Sequence, residues 1–114
     1  MLDAKTFRKM ALSLPDVTEA PHFDSTSFRV GKKIFASLHV ESLIACLKFT
    51  SAEQEVFCAI KPKAIYPVDN YWGKHGWTYL KLQELDKKLV TDTLDAAYCE
   101  VTKSAGKNRI KKSK

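Results

Sequence analysis

The strongest constraint on the fold lies in residues 27–49, where hydrophobic residues alternate with a period of two. Three strand-like runs, "SFRV", "IFASLHV" and "LIACLKF", are separated only by "GKK" and Glu41-Ser42. Gly31 can adopt the positive φ that a tight hairpin turn requires. Connections this short cannot cross over a sheet, so the three strands must form an antiparallel meander.

Three segments with helical spacing lie outside this meander. Asp3 is placed to cap a first helix, which must end near Pro15 because proline cannot continue a helix. Ser51 and Gln54 have the spacing of a capping box, which predicts a short second helix. Asp86 is expected to cap the last helix. The apolar stripes are Phe7, Met10, Ala11 and Leu14 in the first helix and Val90, Leu94, Ala97, Tyr98 and Val101 in the last.

Two further strands complete the predicted sheet. The run "AIYPVD" is expected at a sheet edge, because Pro67 has no N–H to donate to a neighbouring strand. The run "WTYLKL" follows the glycine-containing stretch "NYWGKHG", and Trp77 is expected to close the edge of the core. The segment from Pro15 to Thr26 is rich in turn-forming residues and is predicted to be a loop.

The predicted order of elements is α-β-β-β-α-β-β-α. This order is typical of an α+β fold, a two-layer sandwich with an antiparallel sheet and helices on one face. A chain of 114 residues fits one domain, which we place at 1–102, followed by a flexible tail, 103–114.

Strand alternation assigns side chains to the two faces of the predicted sheet. Those expected to face the helices are Ile34, Ala36, Leu38, Val40, Thr78, Leu80 and Leu82. Those expected on the opposite face are Arg29, Phe35, His39, Lys48, Tyr79 and Lys81. The second set mixes basic and aromatic groups, as the sheets of single-strand nucleic-acid binders do. A solvated face, or a face buried in a dimer, would account for the same pattern.

The net charge of +6 comes from the end of the chain. The tail, "KSAGKNRIKKSK" from Lys103 onward, contains six of the 19 basic residues and no acidic one, so residues 1–102 balance 13 basic against 13 acidic residues. Such a tail can bind polyanions by neutralising phosphates, or it can serve only as a solvated segment that aids solubility.

Other features argue against several classes of protein. An uncharged run such as Ser42 to Leu47 is too short to span a bilayer, and the first ten residues lack the apolar segment of a secretory signal. Cys46, Cys58 and Cys99 are odd in number and without CxxC spacing, which disfavours a disulfide framework or a zinc site. Three thiols in apolar stretches predict a cytoplasmic protein.

Parts of the sequence resemble the MmcQ/YjbR family over most of residues 5–102. The resemblance rests on "LSLPDVTEAPHFDSTSFRVGKKIFASL", on "YWGKHGWTYLKL" and on "DAAY" in the closing helix, with "SFRVGKKIFASL" and the Gly-Trp pair as its most specific parts. It implies a compact domain of the CyaY-like or secretion-chaperone-like kind. Members are often described as DNA-binding proteins with a proposed double-wing motif, and the family supplies no catalytic residues to carry over.

By position, the wings would be the hairpin turn at residues 31–33 and the loop 71–77. Lysines at hairpin tips can contact phosphates, and aromatic residues beside basic ones can stack on unpaired bases. Lysines at hairpin tips are also ordinary solubility devices. Because residues 1–102 are neutral, we expect DNA binding to be weak and mostly electrostatic. The predicted contacts are Arg29, Lys32, Lys33, Trp72, Lys74, His75, Lys107, Arg109, Lys111 and Lys112.

The alternative function is a protein-interaction module related to secretion chaperones. An exposed aromatic patch of Phe35, Tyr71, Trp72 and Tyr79 would hold the partner protein. The chain itself would then be a monomer or a weak homodimer.

The sequence predicts no catalytic, metal or cofactor site. It contains no GxSxG, HExxH or phosphate-binding glycine loop. Cys58 and the histidines supply residue types for a nucleophile and a base, but Cys58 lies in a helical pattern expected to be core. His22 and His75 lack the fixed spacing of metal ligands. We therefore expect a protein that is not an enzyme.

Overall fold

The computed structural model describes residues 2–22, 25–69 and 71–102. Its elements are α1 (Ala4–Leu12), β1 (Val17–His22), β2 (Ser25–Val30), β3 (Lys33–His39), β4 (Ile44–Lys48), α2 (Ser51–Ile60), β5 (Ile65–Pro67), α3 (Tyr71–Lys74), β6 (Trp77–Lys81) and α4 (Lys87–Thr102). A short 3-10 helix at Leu82–Glu84 follows β6.

The strands form one antiparallel sheet in the order β1-β2-β3-β4-β6-β5. Helices α1, α2 and α4 cover one face, which confirms the predicted α+β sandwich. The meander of β2, β3 and β4 and the edge position of β5 are also as predicted. The opposite face is referred to below as the open face.

Strand β1 lies where the sequence predicts a loop. It pairs with β2 over its whole length, from Val17 opposite Val30 to His22 opposite Ser25. An edge strand tolerates Pro21, because only one of its sides has to donate hydrogen bonds. The Arg8 guanidinium on α1 also holds the Glu19 carboxylate of β1 at 2.7 Å. Pairing with β2 along the whole strand outweighs the local turn propensity, and the partly exposed ion pair adds little.

A β-bulge at Phe35 changes the faces that simple alternation predicts. Phe28 pairs with Ala36 whereas Arg29 pairs with Ile34, so Phe35 is the extra residue. Phe35 is fully buried and makes an edge-to-face contact with Tyr98 of α4, at 5.8 Å between ring centroids. Its predicted place in an exposed aromatic patch is therefore wrong. Two residues predicted to face the helices do not do so. Ile34 pairs with Arg29 on the open face, and Val40 is 48% exposed.

Small residues let α4 pack close to the middle of the sheet. Ala36 and Ala45 are fully buried on neighbouring strands, as is Ala97 on α4. Thr78, Leu80 and Leu82 are buried as predicted, and the T-shaped contact of Phe7 with Phe28 anchors α1. Trp77 does not close the edge of the core as the sequence predicts. It is only half-buried, and the buried residue is the next one, Thr78.

The helix caps differ from the prediction at one site. Asp3 accepts the Thr6 N–H and Asp86 accepts the Leu89 N–H, both at 2.8 Å, as expected. The capping box of α2, however, is formed by Thr50 and Glu53, with bonds of 3.1 and 3.0 Å, instead of Ser51 and Gln54. This register leaves the Gln54 amide free to bond elsewhere.

Candidate functional site

Two basic turns lie at the same end of the sheet. Strand β2 ends at Val30, β3 begins at Lys33, β4 ends at Lys48 and β6 begins at Trp77, so antiparallel pairing places all four positions together. Only β4 separates β3 from β6, which puts the two turns about 10 Å apart at the usual strand spacing. We call this end, with the turns at 31–33 and 74–76, the basic end.

The first turn presents two lysines from a tight hairpin. Gly31 has a φ of +62°, which matches the predicted role of glycine in this turn. Lys32 and Lys33 are both exposed. A short hairpin connection holds their backbone close to the sheet while their ammonium groups reach into solvent.

The second turn is fixed from below by hydrogen bonds. The Gln54 side-chain amide donates to the Gly73 carbonyl at 3.1 Å and to the Thr78 hydroxyl at 3.0 Å. The Phe49 N–H donates to the Gly76 carbonyl at 2.9 Å. Lys74 and His75 are exposed on this fixed turn. The side chain of Trp72 lies outside the described part of the structure.

Lys48 is occupied within the molecule and does not add a free charge to the basic end. Its Nζ donates to the His75 carbonyl at 2.8 Å and lies 3.9 Å from the Glu100 carboxylate. Lys48 therefore ties the second turn to α4.

Helix α4 ends at the basic end. Besides the contact of Glu100 with Lys48, the Tyr98 hydroxyl donates to the Pro15 carbonyl at 2.8 Å, just before β1 begins. These contacts fix the last turns of α4, and therefore Thr102, beside the two basic turns. The predicted contacts Lys107, Arg109, Lys111 and Lys112 lie outside the described residues.

Acidic residues offset the lysines of the two turns. Asp16 precedes β1 and Asp69 follows β5, so both lie at the basic end, and both are exposed. The two turns therefore carry three lysines against two aspartates at the same end.

Arg29 lies on the open face instead of projecting from the basic end. Its Nη2 donates to the Ser27 hydroxyl at 3.2 Å. Its Nε is buried and has no hydrogen-bond partner in the part of the chain that the structure describes. Arg29 is thus directed along the open face and is not grouped with Lys32 and Lys33.

The open face contains a cleft of about 390 Å³ that the sequence did not reveal. Of the side chains predicted on this face, His39 and Tyr79 line the cleft. The alternation of small polar residues along β2, β3 and β4 is a signal that could have located the other residues that line the cleft. The lining residues are Ser25, Ser37, His39, Ser42, Ile44, Cys46, Tyr66 and Tyr79.

Burial keeps the acidic groups of the cleft protonated. It raises the pKa of the Cys46 thiol to about 11, and it is the main cause of the raised pKa of Tyr79. His39 Nδ1 accepts the Ser42 N–H at 3.2 Å and lies 2.8 Å from the Ser42 hydroxyl, which selects the tautomer with its proton on Nε2. The cleft thus offers hydroxyl and thiol groups as hydrogen-bonding partners, whereas His39 is bonded to Ser42.

The two tyrosines form an aromatic side of the cleft. Tyr66 and Tyr79 are cross-strand neighbours with ring centroids 5.6 Å apart and ring planes 58° apart. Lys81 Nζ lies 5.8 Å from the centroid of the Tyr66 ring, within cation–π range. These contacts fix the two rings beside the small residues of β3 and β4.

Comparison with known proteins identifies the family. The model of the YjbR family matches residues 12–100. The chain belongs to the YjbR family. A solved structure with a similar fold is that of the Deinococcus radiodurans protein DR2400, which carries the DUF419 domain. Its TM-score is 0.79 at 24% identity, and the match covers 92% of this chain and 82% of that one. No curated protein matches the sequence significantly.

Cys58 is the candidate nucleophile, and the side chain of the candidate ligand His22 lies outside the described part of the structure. Burial raises the pKa of the Cys58 thiol, which opposes formation of a nucleophilic thiolate. Among residues 2–22, 25–69 and 71–102, no three His, Cys, Asp or Glu side chains are grouped closely enough to hold a metal ion. None of the helices described in the structure has the length and apolar character needed to cross a membrane.

Proposed function

We propose that this YjbR-family protein is a non-enzymatic, cytoplasmic DNA-binding protein that holds phosphates at the basic end. The observation that carries the proposal is the topology. It brings Lys32 and Lys33, Lys74 and His75, and the start of a tail with six basic residues to one end of the sheet. A phosphate backbone lying across this end would meet all three groups.

The charge balance determines the kind of binding that we expect. Two exposed turns with few lysines can position a duplex but cannot hold it tightly, whereas the tail can neutralise several phosphates. For duplex DNA each neutralised phosphate contributes about 0.9 to the slope of log K against log salt, so six tail charges would contribute about 5. Binding should therefore be weak at physiological salt and lost steeply above it.

The thiol chemistry supports a role outside catalysis and a reducing compartment. The pKa values of Cys46 and Cys58 are raised by burial, so both thiols remain protonated near neutral pH. All three cysteines are free thiols in the structure, as is usual for cytoplasmic proteins.

A salt titration of DNA binding tests the role of the tail. Fluorescence anisotropy of a labelled duplex would be followed from about 50 to about 200 mM salt for the full chain and for a chain ending at Thr102. We expect the shortened chain to lose most of its affinity and most of the salt slope. Equal affinity and equal slope for the two chains would contradict the proposal for the tail.

Charge reversal at the two turns tests the basic end itself. The variant Lys32→Glu, Lys33→Glu, Lys74→Glu is expected to weaken binding further than its matched control, Lys61→Glu, Lys63→Glu, Lys87→Glu. The control makes the same change of net charge with three exposed lysines at the opposite end of the sheet. If both triple variants bind DNA equally, only net charge matters and the basic end is not an interface.

A specific observation on α2 favours the alternative function of a protein-interaction module, related to secretion chaperones and forming a weak homodimer. No residue of α2 is buried, and Val56 and Ile60 are 59% and 52% exposed. Together with Ala52 they form a stripe at i, i+4 spacing. In an antiparallel pair of α2 helices, the register that joins Val56 to Ile60 would bury this stripe between two copies of the chain.

A charge placed within the stripe tests this homodimer. Light scattering of the full chain at high concentration is expected to show dimer, and Val56→Glu should abolish it, because the new carboxylate would be buried in the apolar contact. The matched control Glu55→Ala changes an exposed residue beside the stripe and should leave the dimer unchanged. A chain that is monomeric at all concentrations would remove the alternative.

A further inference from the structure

A single row of side chains crosses the open face from strand to strand. Each pair of neighbours in the row is in direct register. From β2 to the edge of the sheet, the row consists of Ser27, Ser37, Cys46, Tyr79 and Tyr66. Side-chain size therefore changes abruptly along the row, from hydroxymethyl and thiomethyl groups to two phenol rings.

This change in size produces the cleft. Ser37 and Cys46 leave a low floor in the middle of the sheet, and Tyr79 rises beside it as a wall. The adjoining cross-strand row closes another side with His39 and Ile44. The resulting volume of about 390 Å³ lies in the range of small-molecule sites.

The chemistry of the lining selects the kind of ligand. Among the described residues, no aspartate, glutamate, lysine or arginine lines the cleft, so neither a cation nor a phosphate would find an ionic partner among them. The lining does supply the hydroxyl groups of Ser25 and Ser37, whose hydrogen-bonding capacity a purely aliphatic group would not use. An aromatic wall beside neutral hydrogen-bonding groups fits a flat, uncharged ring with polar edges.

We propose that this cleft binds one uncharged planar heteroaromatic ring, the chemistry of an unpaired nucleobase. The ring would lie over Ser37 and Cys46 against Tyr79, with its polar edge toward Ser25. The proposal rests on the cleft alone and holds whether or not the basic end binds DNA.

The base of a free nucleoside and the base of a single strand share this chemistry. Adenosine and uridine, which carry no phosphate, would be titrated into the isotopically labelled full chain and followed by NMR. We expect binding with a Kd on the order of 1 mM and amide shifts concentrated in β3, β4 and β6. Absence of shifts in these strands at millimolar nucleoside would overturn the proposal, without the need for any variant.

Two pairs of variants locate the ring. Tyr79→Ala should weaken nucleoside binding about tenfold or more, because stacking on an aromatic side chain is worth about 1–3 kcal/mol per base. Its control, Tyr79→Phe, keeps the ring and should bind within about threefold of the native chain. Ser37→Leu fills the floor and should abolish binding, whereas Ser37→Ala should lose less than about tenfold. Equal binding by Ser37→Leu and Ser37→Ala, with near-ultraviolet circular dichroism showing both folded, would contradict the location.

A comparison of oligonucleotides separates the two sources and the two proposals. If the chain prefers single strands to duplex and Tyr79→Ala removes this preference, the ligand of the cleft is a base within a strand. If nucleosides bind without such a preference, the ligand is a free nucleoside or base. If nucleosides bind but removing the tail leaves DNA affinity unchanged, the cleft stands and the proposed role of the tail in DNA binding fails. If DNA binding depends on the tail but nucleosides do not shift the cleft, the reverse holds.

Discussion

At the residue scale, Gly31 and Gly76 share a left-handed backbone, with φ values of +62° and +99°. Their surroundings differ. A Cβ at Gly31 would point into open space, whereas a Cβ at Gly76 would collide with the carbonyl oxygen of Phe49. Gly76 is needed for a close approach of two backbones as well as for its φ, so the Gly-Trp pair before β6 is a packing feature of the fold.

This difference leads to a prediction for stability. Gly31→Ala should lower the free energy of unfolding by about 1 kcal/mol, which is the usual cost of a left-handed alanine. Gly76→Ala should lower it by about 3 kcal/mol or more, because Phe49 must also move. Urea denaturation measures both values. Equal losses for the two variants would show that the contact with Phe49 is unimportant.

The buried Cys46 thiol predicts a dependence of stability on pH. Its pKa is raised to about 11 by burial, so its stabilising contribution is complete below the unfolded value, near 9, and is lost as pH rises toward 11. Between these pH values the native chain should lose on the order of 2 kcal/mol more unfolding free energy than Cys46→Ala does. Parallel pH profiles for the two chains, measured by urea denaturation, would contradict this prediction.

At the element scale, α2 shows how a one-residue change of cap register alters tertiary contacts. With Thr50 and Glu53 as the capping box, Gln54 is left to bond Gly73 and Thr78. A box of Ser51 and Gln54 would have used this amide at the helix end. The same bonds hold the second basic turn in place, so the cap and the candidate interface are connected.

The cap register can be tested directly. Thr50→Ala should lower the free energy of unfolding by about 1 kcal/mol, because the Glu53 N–H loses its acceptor. Ser51→Ala, one residue along, should change it by less than about 0.5 kcal/mol, since an exposed first-turn position tolerates alanine. A larger effect at Ser51 in urea denaturation would restore the capping box predicted from the sequence.

At the scale of the whole molecule, charge and fold are separated along the chain. Residues 1–102 hold 13 basic and 13 acidic residues, and the whole excess of +6 lies after Thr102. The described core consists of residues before this point. Folding and polyanion binding are therefore expected to depend on different parts of the sequence.

This separation predicts two independent effects of truncation. A chain ending at Thr102 should keep the unfolding free energy of the full chain within about 0.5 kcal/mol, because no described core contact is removed. It should also lose retention on a cation-exchange resin at neutral pH, since its formal net charge falls to zero. A substantial loss of stability would show that the tail contributes to the folded core.

The sequence determined the features that follow from local pattern. Alternating hydrophobic residues and short links predicted the antiparallel meander. Helical spacing, with Asp3 and Asp86 as caps, predicted the first and last helices. The positions of the charged residues located the basic tail. The tertiary structure decided what depends on distant partners. At the edge of the sheet, β1 forms a strand although it contains a proline. A bulge in β3 places Phe35 in the core. The pairing register of β3, β4 and β6 brings Ser37, Cys46 and Tyr79 together in a cleft.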